Sequence, residues 1–160
     1  MRKPTADLCD EHGDKVRVLP LDFRDFGGVS AGFSGLVSTV KTENDNTLVR
    51  AALETKGEGR VLVVDNGGSR SCAMVGGKLG ELARNNGWAG IVVFGCVRDS
   101  EELKTFPVGI KALGTCPRKS EKRGVGARDV EVVIAGVTVR VGEWLSADAD
   151  GVVVSENALG

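Results

Sequence analysis

Two short apolar runs, separated by a segment with helical periodicity, constrain the fold of this chain more than any other feature. The runs cover residues 60–64 and 91–94, and their continuous hydrophobicity is typical of parallel strands that are buried on both faces. Between them, Leu79, Leu82 and Ala83 form an apolar stripe that predicts a helix. A strand, a helix and a strand in this order make a right-handed crossover, so both strands end at the edge of the sheet where the helix begins.

Glycine and charged residues are expected to meet at that edge. Residues 65–68 follow the first strand, Gly76 and Gly77 open the helix, and Arg98 and Asp99 follow the second strand. Free backbone N–H groups, a guanidinium group and a carboxylate can together bind one small anion and one hard divalent cation. Arg98 and Asp99 also have a simpler interpretation, in which they only end a strand and begin a turn.

Length and composition exclude several classes of protein. At 160 residues, of which 41% are hydrophobic, we expect a single domain over residues 1–160. A net charge of -1, an aromatic content of 4% and the absence of tyrosine argue against direct binding of nucleic acid. No apolar run approaches the roughly 20 residues that cross a bilayer, and the polar N-terminus resembles no secretion signal. We therefore expect a cytoplasmic protein that makes no membrane contact.

The C-terminal part of the sequence is mostly β in character. Residues 130–134, 137–141 and 151–154 have the pattern of strands joined by turns, with no segment of helical length between them. A parallel crossover followed by an antiparallel part predicts an α/β fold, with one three-layer β/β/α domain built around the central strand-helix-strand unit.

Other segments are expected to supply the remaining elements. Thr5 is positioned to cap an N-terminal helix over residues 5–11, and residues 33–41 have the pattern of a strand. Ser100 is expected to cap a single helical turn over residues 101–103.

Common cofactor and catalytic motifs do not fit this sequence. Residues 76–78 do not belong to a nucleotide-binding P-loop, because Cys72 and Leu79 stand where that motif has glycine and serine or threonine. No GxGxxG spacing follows either apolar run, which argues against a dinucleotide. The single histidine, His12, lies in the predicted N-terminal helix, so a serine or cysteine nucleophile with a histidine base is disfavoured.

Three segments resemble the RraA-like family, and the resemblance extends over essentially the whole chain. They are GRVLVVDNGGS (59–69), NGWAGIVVFGCVRD (86–99) and VGIKALGTCPRKS (108–120). The family contains class II, metal-dependent 4-hydroxy-4-methyl-2-oxoglutarate aldolases that also decarboxylate oxaloacetate, and regulators of ribonuclease E activity. The resemblance implies a β/β/α fold that assembles as a ring-shaped homotrimer. The family also carries an older label, menaquinone-pathway methyltransferase, but this sequence contains no loop that would bind the cofactor of such an enzyme.

The resemblance also implies roles for individual residues. Four would line the substrate through their backbone amides: Gly76, Gly77, Lys78 and Leu79. Arg98 would bind the substrate carboxylate and Asp99 would hold a divalent cation, Mg²⁺ or Mn²⁺, which makes these two the implied catalytic residues. Aldolase members often carry an aspartate at the position of Gly77. In this chain either Asp65 or a residue across a subunit boundary is the expected substitute, or the aldolase chemistry is weak or lost.

Two functional hypotheses follow from the residues and the resemblance. The first is a lyase that acts on a small 2-oxo acid through a pyruvate enolate, whose charge a divalent cation can stabilise. The alternative is a regulator without catalysis, which binds and inhibits ribonuclease E. The basic cluster at residues 118–123 could serve an acidic partner or a subunit contact, although most such runs are solvated loops.

Overall fold

A computed structural model of the chain describes residues 2–29 and 31–159. Within these ranges no helix is both long and apolar enough to cross a bilayer. The helices and strands follow one another in this order: α1 (Thr5–His12), a 3-10 turn (Gly13–Lys15), β1 (Val16–Val18), β2 (Arg24–Asp25), β3 (Phe33–Lys41), α2 (Thr47–Leu53), β4 (Val61–Asp65), β5 (Ala73–Val75), α3 (Gly77–Asn85), β6 (Gly90–Val97), α4 (Ser100–Leu103), β7 (Gly109–Thr115), β8 (Ala127–Arg128), β9 (Val132–Ile134), β10 (Val137–Val139), β11 (Trp144–Asp148) and β12 (Gly151–Ser155).

The two apolar runs form β4 and β6, which pair in parallel as predicted. β3 pairs in parallel with the other edge of β4, and β7 with the other edge of β6. Every residue of β4 is buried, which explains why this strand lacks the alternation of a strand with one solvated face.

Antiparallel strands extend this parallel core into a larger mixed sheet. The strand order is β1-β12-β11-β3-β4-β6-β7-β2. β3 joins the two parts, because its first half pairs antiparallel with β11 and its second half pairs parallel with β4. β9 and β10 form a separate two-stranded sheet.

Two hydrophobic clusters lie on opposite faces of the central strands. Leu62 and Val64 belong to the cluster that includes apolar residues of α2 and α3. Val61 and Val63 belong to the cluster that includes residues of the strands from β9 to β12. Burial of one such side chain contributes about 1.5–3 kcal/mol, so both faces stabilise the sheet. Helices, the central sheet and a second β layer therefore form three layers, which confirms the predicted α/β fold class.

The crossover contains β5, a short strand between β4 and α3 that the sequence pattern does not reveal. β5 pairs with the second half of β6, and α3 begins two residues after β5 ends. The Arg98 N–H donates to the Val75 carbonyl at 2.9 Å, which places Gly76 beside Arg98. Residues 65–68 stay further back along β6, where the Gly68 N–H donates to the Phe94 carbonyl at 3.1 Å.

Two predicted helix caps are wrong. Pro4 is the N-cap of α1, and Thr5 is the first helical residue. The Thr5 hydroxyl instead donates to Asp148 at 2.7 Å, a partner distant in sequence. Asp99 rather than Ser100 is the N-cap of α4, because the left-handed backbone of Asp99 turns the chain out of β6.

The C-terminal part is mostly β as predicted, but β11 was not expected. Its three central residues are all buried, and one of them is Ser146. A polar residue in a strand buried on both faces gives neither an apolar run nor an alternating pattern, so local hydrophobicity does not identify it.

The ring of Phe33 provides a test of the packing between the layers. It lies against Gly90 and Gly109, which are opposite each other on β6 and β7, and a Cβ at Gly109 would overlap the ring. We expect Gly109→Ala to lower the free energy of unfolding by about 1–3 kcal/mol, the usual cost of overpacking. Urea denaturation measures this change.

Phe33→Leu is the companion substitution, because a smaller side chain leaves room for the new methyl group. The cost of the double variant should be less than the sum of the two single costs, since the residues are in contact. Strictly additive costs would show that Phe33 does not set the requirement for glycine at position 109.

Candidate active site

One cleft of about 280 Å³ brings together the six residues to which the family resemblance gives a role. It lies at the beginning of α3, between the loop that follows β6 and the loop that follows β7. The nominated residues on its lining are Gly76, Gly77, Lys78, Leu79, Arg98 and Asp99.

Asp99 joins two sides of the cleft. Its Oδ2 accepts a hydrogen bond from the Gly77 N–H at 2.8 Å, one of the N–H groups at a helix start that have no partner within the helix. The backbone of Asp99 is left-handed, with φ of 56°. Such a conformation is costly for a residue with a Cβ and persists where the surrounding structure fixes it, often at functional sites.

The glycine pair lets the backbone approach two acidic side chains. A Cβ at Gly76 would lie 2.8 Å from Asp99 Oδ2 and 3.3 Å from Arg98 Cγ. A Cβ at Gly77 would overlap the carboxylate of Glu102. A side chain at position 76 would crowd Asp99, and a side chain at position 77 would require the exposed Glu102 side chain to move.

Glu102 is the acidic residue that the sequence did not nominate. Its carboxylate occupies the space that a side chain at position 77 would fill. Asp65 does not lie on the cleft, and its Oδ1 accepts a hydrogen bond from the Gly67 N–H at 2.9 Å. The sequence feature that could have indicated Glu102 is its position three residues after Asp99, because residues at this spacing share one side of a helical turn.

The carboxylates of Asp99 and Glu102 are oxygen ligands of the kind that a hard cation binds. Both carboxylates lie against the backbone of Gly77. Mg²⁺ and Mn²⁺ prefer oxygen ligands, and Mg²⁺ commonly takes one or two carboxylates while it keeps several waters. Across residues 2–29 and 31–159, no three His, Cys, Asp or Glu side chains gather around one point. The donor set thus fits a partly hydrated ion and not a cage made only of protein groups.

Two backbone N–H groups at the start of α3 are available to an anion. Among the described residues, no acceptor receives a hydrogen bond from the N–H of Lys78 or Leu79. The positive end of the helix dipole lies at the same place, and both features favour negative charge. The Gly77 N–H is already engaged by Asp99, so only part of the expected row of four amides is free.

The cleft is rich in positive charge. Arg98 is half-buried and donates one long hydrogen bond of 3.4 Å to the Pro117 carbonyl, which leaves other guanidinium N–H groups for a ligand. Asp99 is the one acidic residue among the described residues of the lining. Such a balance favours a ligand with more than one negative charge. Four further cations line the same cleft: Arg50, Lys78, Lys119 and Lys122.

Asp45 fixes the basic loop that forms one wall of the cleft. The residue is fully buried, and its carboxylate accepts hydrogen bonds from the N–H groups of Thr47, Arg123 and Val125. Burial by itself would raise the pKa of Asp45, but these hydrogen bonds outweigh it and lower the pKa to about 2. The loop at residues 118–123 is therefore anchored, and part of it faces the cleft as well as solvent.

Other candidate residues lie away from the cleft or are chemically inert. His12 is the last residue of α1, which packs on β1, β11 and β12. Asp148 accepts hydrogen bonds from Thr5 at the N-terminal end of α1. Burial raises the pKa of the Cys96 thiol, with a smaller opposing effect from Arg70, so this thiol is a poor nucleophile.

Comparisons with known proteins agree with the fold. A family model for RraA-like proteins, described as Aldolase/RraA, matches residues 5–154. A protein from Alkalilimnicola ehrlichii is 56% identical over 99% of this chain and 98% of its own length. It is provisionally named a 4-hydroxy-4-methyl-2-oxoglutarate aldolase.

Two solved structures superpose closely on this chain, each with a TM-score of 0.95. One, from Thermus thermophilis, is named an RNA-processing inhibitor RraA, is 44% identical and is matched over 100% of this chain and 96% of its own. The other, from Geobacillus kaustophilus, is named an S-adenosylmethionine: 2-dimethylmenaquinone methyltransferase, is 48% identical and is matched over 98% and 97%. The names of these similar proteins differ, so a function for this chain must be argued from its own cleft.

The Asp45 carboxylate provides a test of how the basic loop is held. Asp45→Asn replaces one acceptor oxygen by a donor and removes the charge that three N–H groups share. We expect it to lower the free energy of unfolding at pH 7 by about 1.5–3 kcal/mol, the usual worth of hydrogen bonds to a charged group. Asp14→Asn, at an exposed position, is the control and should have little effect.

The same comparison should depend on pH. Folding lowers the pKa of Asp45 from 3.8 to about 2, so its stabilisation is present above about pH 4 and is lost as the pH falls towards 2. The difference in unfolding free energy between wild type and Asp45→Asn should therefore shrink over that range in urea titrations. A difference that stays constant down to pH 2 would contradict the anchoring role of the charge.

Proposed function

This chain belongs to the RraA-like family, and on that basis we propose that it is a divalent-metal-dependent lyase of small 2-oxo acids. The proposed reactions are the aldol cleavage of 4-hydroxy-4-methyl-2-oxoglutarate and the decarboxylation of oxaloacetate. One observation supports this proposal above the others. Beside Gly76 and Gly77, a guanidinium group, two free helix N–H groups and the Asp99 carboxylate line one cleft, and the Glu102 carboxylate lies next to Gly77.

The cationic side of this arrangement suits the carboxylate of a 2-oxo acid. Arg98 can bind a carboxylate through two parallel N–H groups, which fixes the plane of the ligand as well as its position. The free N–H groups of Lys78 and Leu79 can bind the same anion, helped by the helix dipole. These groups would orient the substrate in the cleft.

The acidic side suits the divalent cation. Asp99 and Glu102 would hold Mg²⁺ or Mn²⁺, and their spacing is set by the single turn of α4. When bound, such an ion supplies Lewis-acid stabilisation of the negative charge that develops on a 2-oxo acid during cleavage. Neutralising either carboxylate should therefore weaken both ion binding and catalysis.

Both proposed reactions break the C3–C4 bond of a 2-oxo acid. The electron pair of that bond passes to the pyruvate fragment and gives its enolate, which is then protonated at C3. Aldol cleavage also requires removal of the proton on the 4-hydroxyl group, whereas decarboxylation releases CO₂ and needs no base. Oxaloacetate is therefore the simpler probe of an enolate site.

A second candidate function is inhibition of a ribonuclease. It is favoured by the relative from Thermus thermophilis, which is named an RNA-processing inhibitor, and by the exposed basic residues of the loop at 118–123. We propose as the alternative that this loop binds ribonuclease E without any catalysis in the cleft. The homotrimer that the family resemblance implies stays a prediction for either function.

Release of pyruvate from oxaloacetate tests the lyase. Protein stripped with EDTA should be inactive, and Mg²⁺ or Mn²⁺ should restore activity above the rate of the ion alone. Arg98→Ala and Asp99→Asn should each lower kcat/KM by about 100-fold, because each removes a charged contact to the reacting unit. Glu102→Gln should lower kcat/KM by about tenfold or more for the same reason.

Glu101→Gln is the matched control, because Glu101 is an exposed acid on the same helix as Glu102, whereas the side-chain atoms nearest to position 77 belong to Glu102. Its kcat/KM should change by less than about twofold. Wild-type activity that persists without a divalent ion would contradict the proposed metal dependence, and equal activity in the Arg98 and Glu101 variants would contradict a lyase site at this cleft.

The ribonuclease alternative makes the opposite prediction for these positions. Asp99→Asn should inhibit ribonuclease E as strongly as wild type, whereas charge reversal of Arg118 and Arg123 should abolish inhibition and co-purification. These two arginines do not line the cleft, so their reversal should leave any lyase activity in place. Loss of inhibition in the Asp99 variant alone would contradict a binding role that is independent of the cleft.

A further inference from the structure

Two guanidinium groups meet over Gly114 of β7, outside the cleft. A Cβ on Gly114 would lie 2.7 Å from Arg70 Nη1 and 3.9 Å from Arg24 Nη1. Arg24 belongs to the edge strand β2, whereas Arg70 lies in the loop between β4 and β5. Neither arginine lines the cleft at the start of α3. The absence of a side chain at position 114 thus lets two like charges approach each other, an arrangement that costs energy unless an anion joins them.

No acidic side chain balances this pair of charges. Within the described part of the chain, neither Arg24 nor Arg70 forms an ion pair. Asp25, the neighbour of Arg24 in sequence, is engaged elsewhere, since its Oδ1 lies 3.0 Å from Lys111 Nζ. Successive residues of a strand also point to opposite faces. The positive charge of the arginine pair is therefore left for a ligand.

Uncharged contacts hold both guanidinium groups in place. Arg70 Nη2 donates to the Leu113 carbonyl at 3.3 Å. Burial raises the pKa of the neighbouring Cys96 thiol more than Arg70 lowers it, so this thiol is neutral at pH 7 and adds no negative charge. Arg24 Cζ lies 5.0 Å from the centre of the Phe26 ring, a cation–π contact. Positioning of both groups before an anion arrives lowers the entropic cost of binding.

We propose that Arg24 and Arg70 form a binding site for a phosphate group, carried by inorganic phosphate or by a small phosphate ester. Both side chains are exposed, so a ligand from solvent can reach them. Each guanidinium group presents a planar fork of N–H donors. A phosphate group has oxygens for two such forks and a charge of about −1.5 to −2 at pH 7, whereas a carboxylate matches one fork and carries a single charge. This site does not depend on the proposed lyase function.

NMR of the arginine side chains tests the site, because the Nε–Hε signal of each arginine reports on its own guanidinium group. Inorganic phosphate, titrated into the full chain at low ionic strength, should shift the signals of Arg24 and Arg70 with one common dissociation constant. Arg24→Gln and Arg70→Gln assign the two signals. Each variant should also raise the dissociation constant measured on the remaining arginine by at least about tenfold, because it removes a charged hydrogen-bond donor.

Arg84→Gln is the matched control. Arg84 is also exposed and also lies over an aromatic ring, with its Cζ 5.2 Å from the centre of the Phe106 ring. Its replacement should change the dissociation constant by less than about twofold. A parallel titration with glycerol 3-phosphate identifies the source of the phosphate group, since only an ester that fits the site will shift the same two signals.

Three results would overturn the phosphate site. The first is the absence of a shift with either phosphate compound, and the second is an equal shift with acetate at the same ionic strength. The third is loss of the shifts in Arg98→Ala, which would show that the anion binds in the cleft. Shifts that persist in Arg98→Ala and weaken in Arg24→Gln and Arg70→Gln support the second site, whether or not the protein is a lyase.

Discussion

The hydrogen bond from the Gly77 N–H to the Asp99 carboxylate is the contact on which the cleft depends. It joins the beginning of α3 to the end of β6, two points that the parallel pairing of β5 with β6 brings side by side. Asp99 reaches this position because its backbone is left-handed, and α3 can approach because Gly76 has no side chain. One interaction thus stabilises a helix start and positions a carboxylate, so the geometry of the cleft follows from the fold.

Opposite charges are separated around Gly76 and Gly77, and different elements supply them. The acids Asp99 and Glu102 come from α4 and its N-cap, whereas most of the cations come from α2, α3 and the loop that Asp45 anchors. A substrate with carboxylates and a divalent cation needs both kinds of group in fixed positions before the reaction begins. The rigid attachment of each group to the sheet or to an anchored loop meets that requirement.

Much of the fold and of the cleft could be predicted from local patterns, but contacts between distant residues could not. Residues 60–64 and 91–94 became β4 and β6 because continuous apolar runs are local signals. The hydroxyl of Thr5 pairs with Asp148, 143 residues away, which no cap pattern reveals. Glu102 was missed because the substitute for an acid at position 77 was expected at Asp65 or across a subunit boundary, whereas the packing of α4 against α3 brings the Glu102 carboxylate next to Gly77.

The central claim is that Glu102 supplies the carboxylate that Gly77 lacks, and an exchange of the two positions tests it most directly. The measurement is the kcat/KM for Mg²⁺-dependent decarboxylation of oxaloacetate by the double variant Gly77→Asp, Glu102→Ala. Removal of the Glu102 carboxylate frees the space that a Cβ at position 77 needs. We predict that the double variant is at least about tenfold more active than Glu102→Ala alone, because the two positions are coupled. A double variant no more active than Glu102→Ala would contradict the claim.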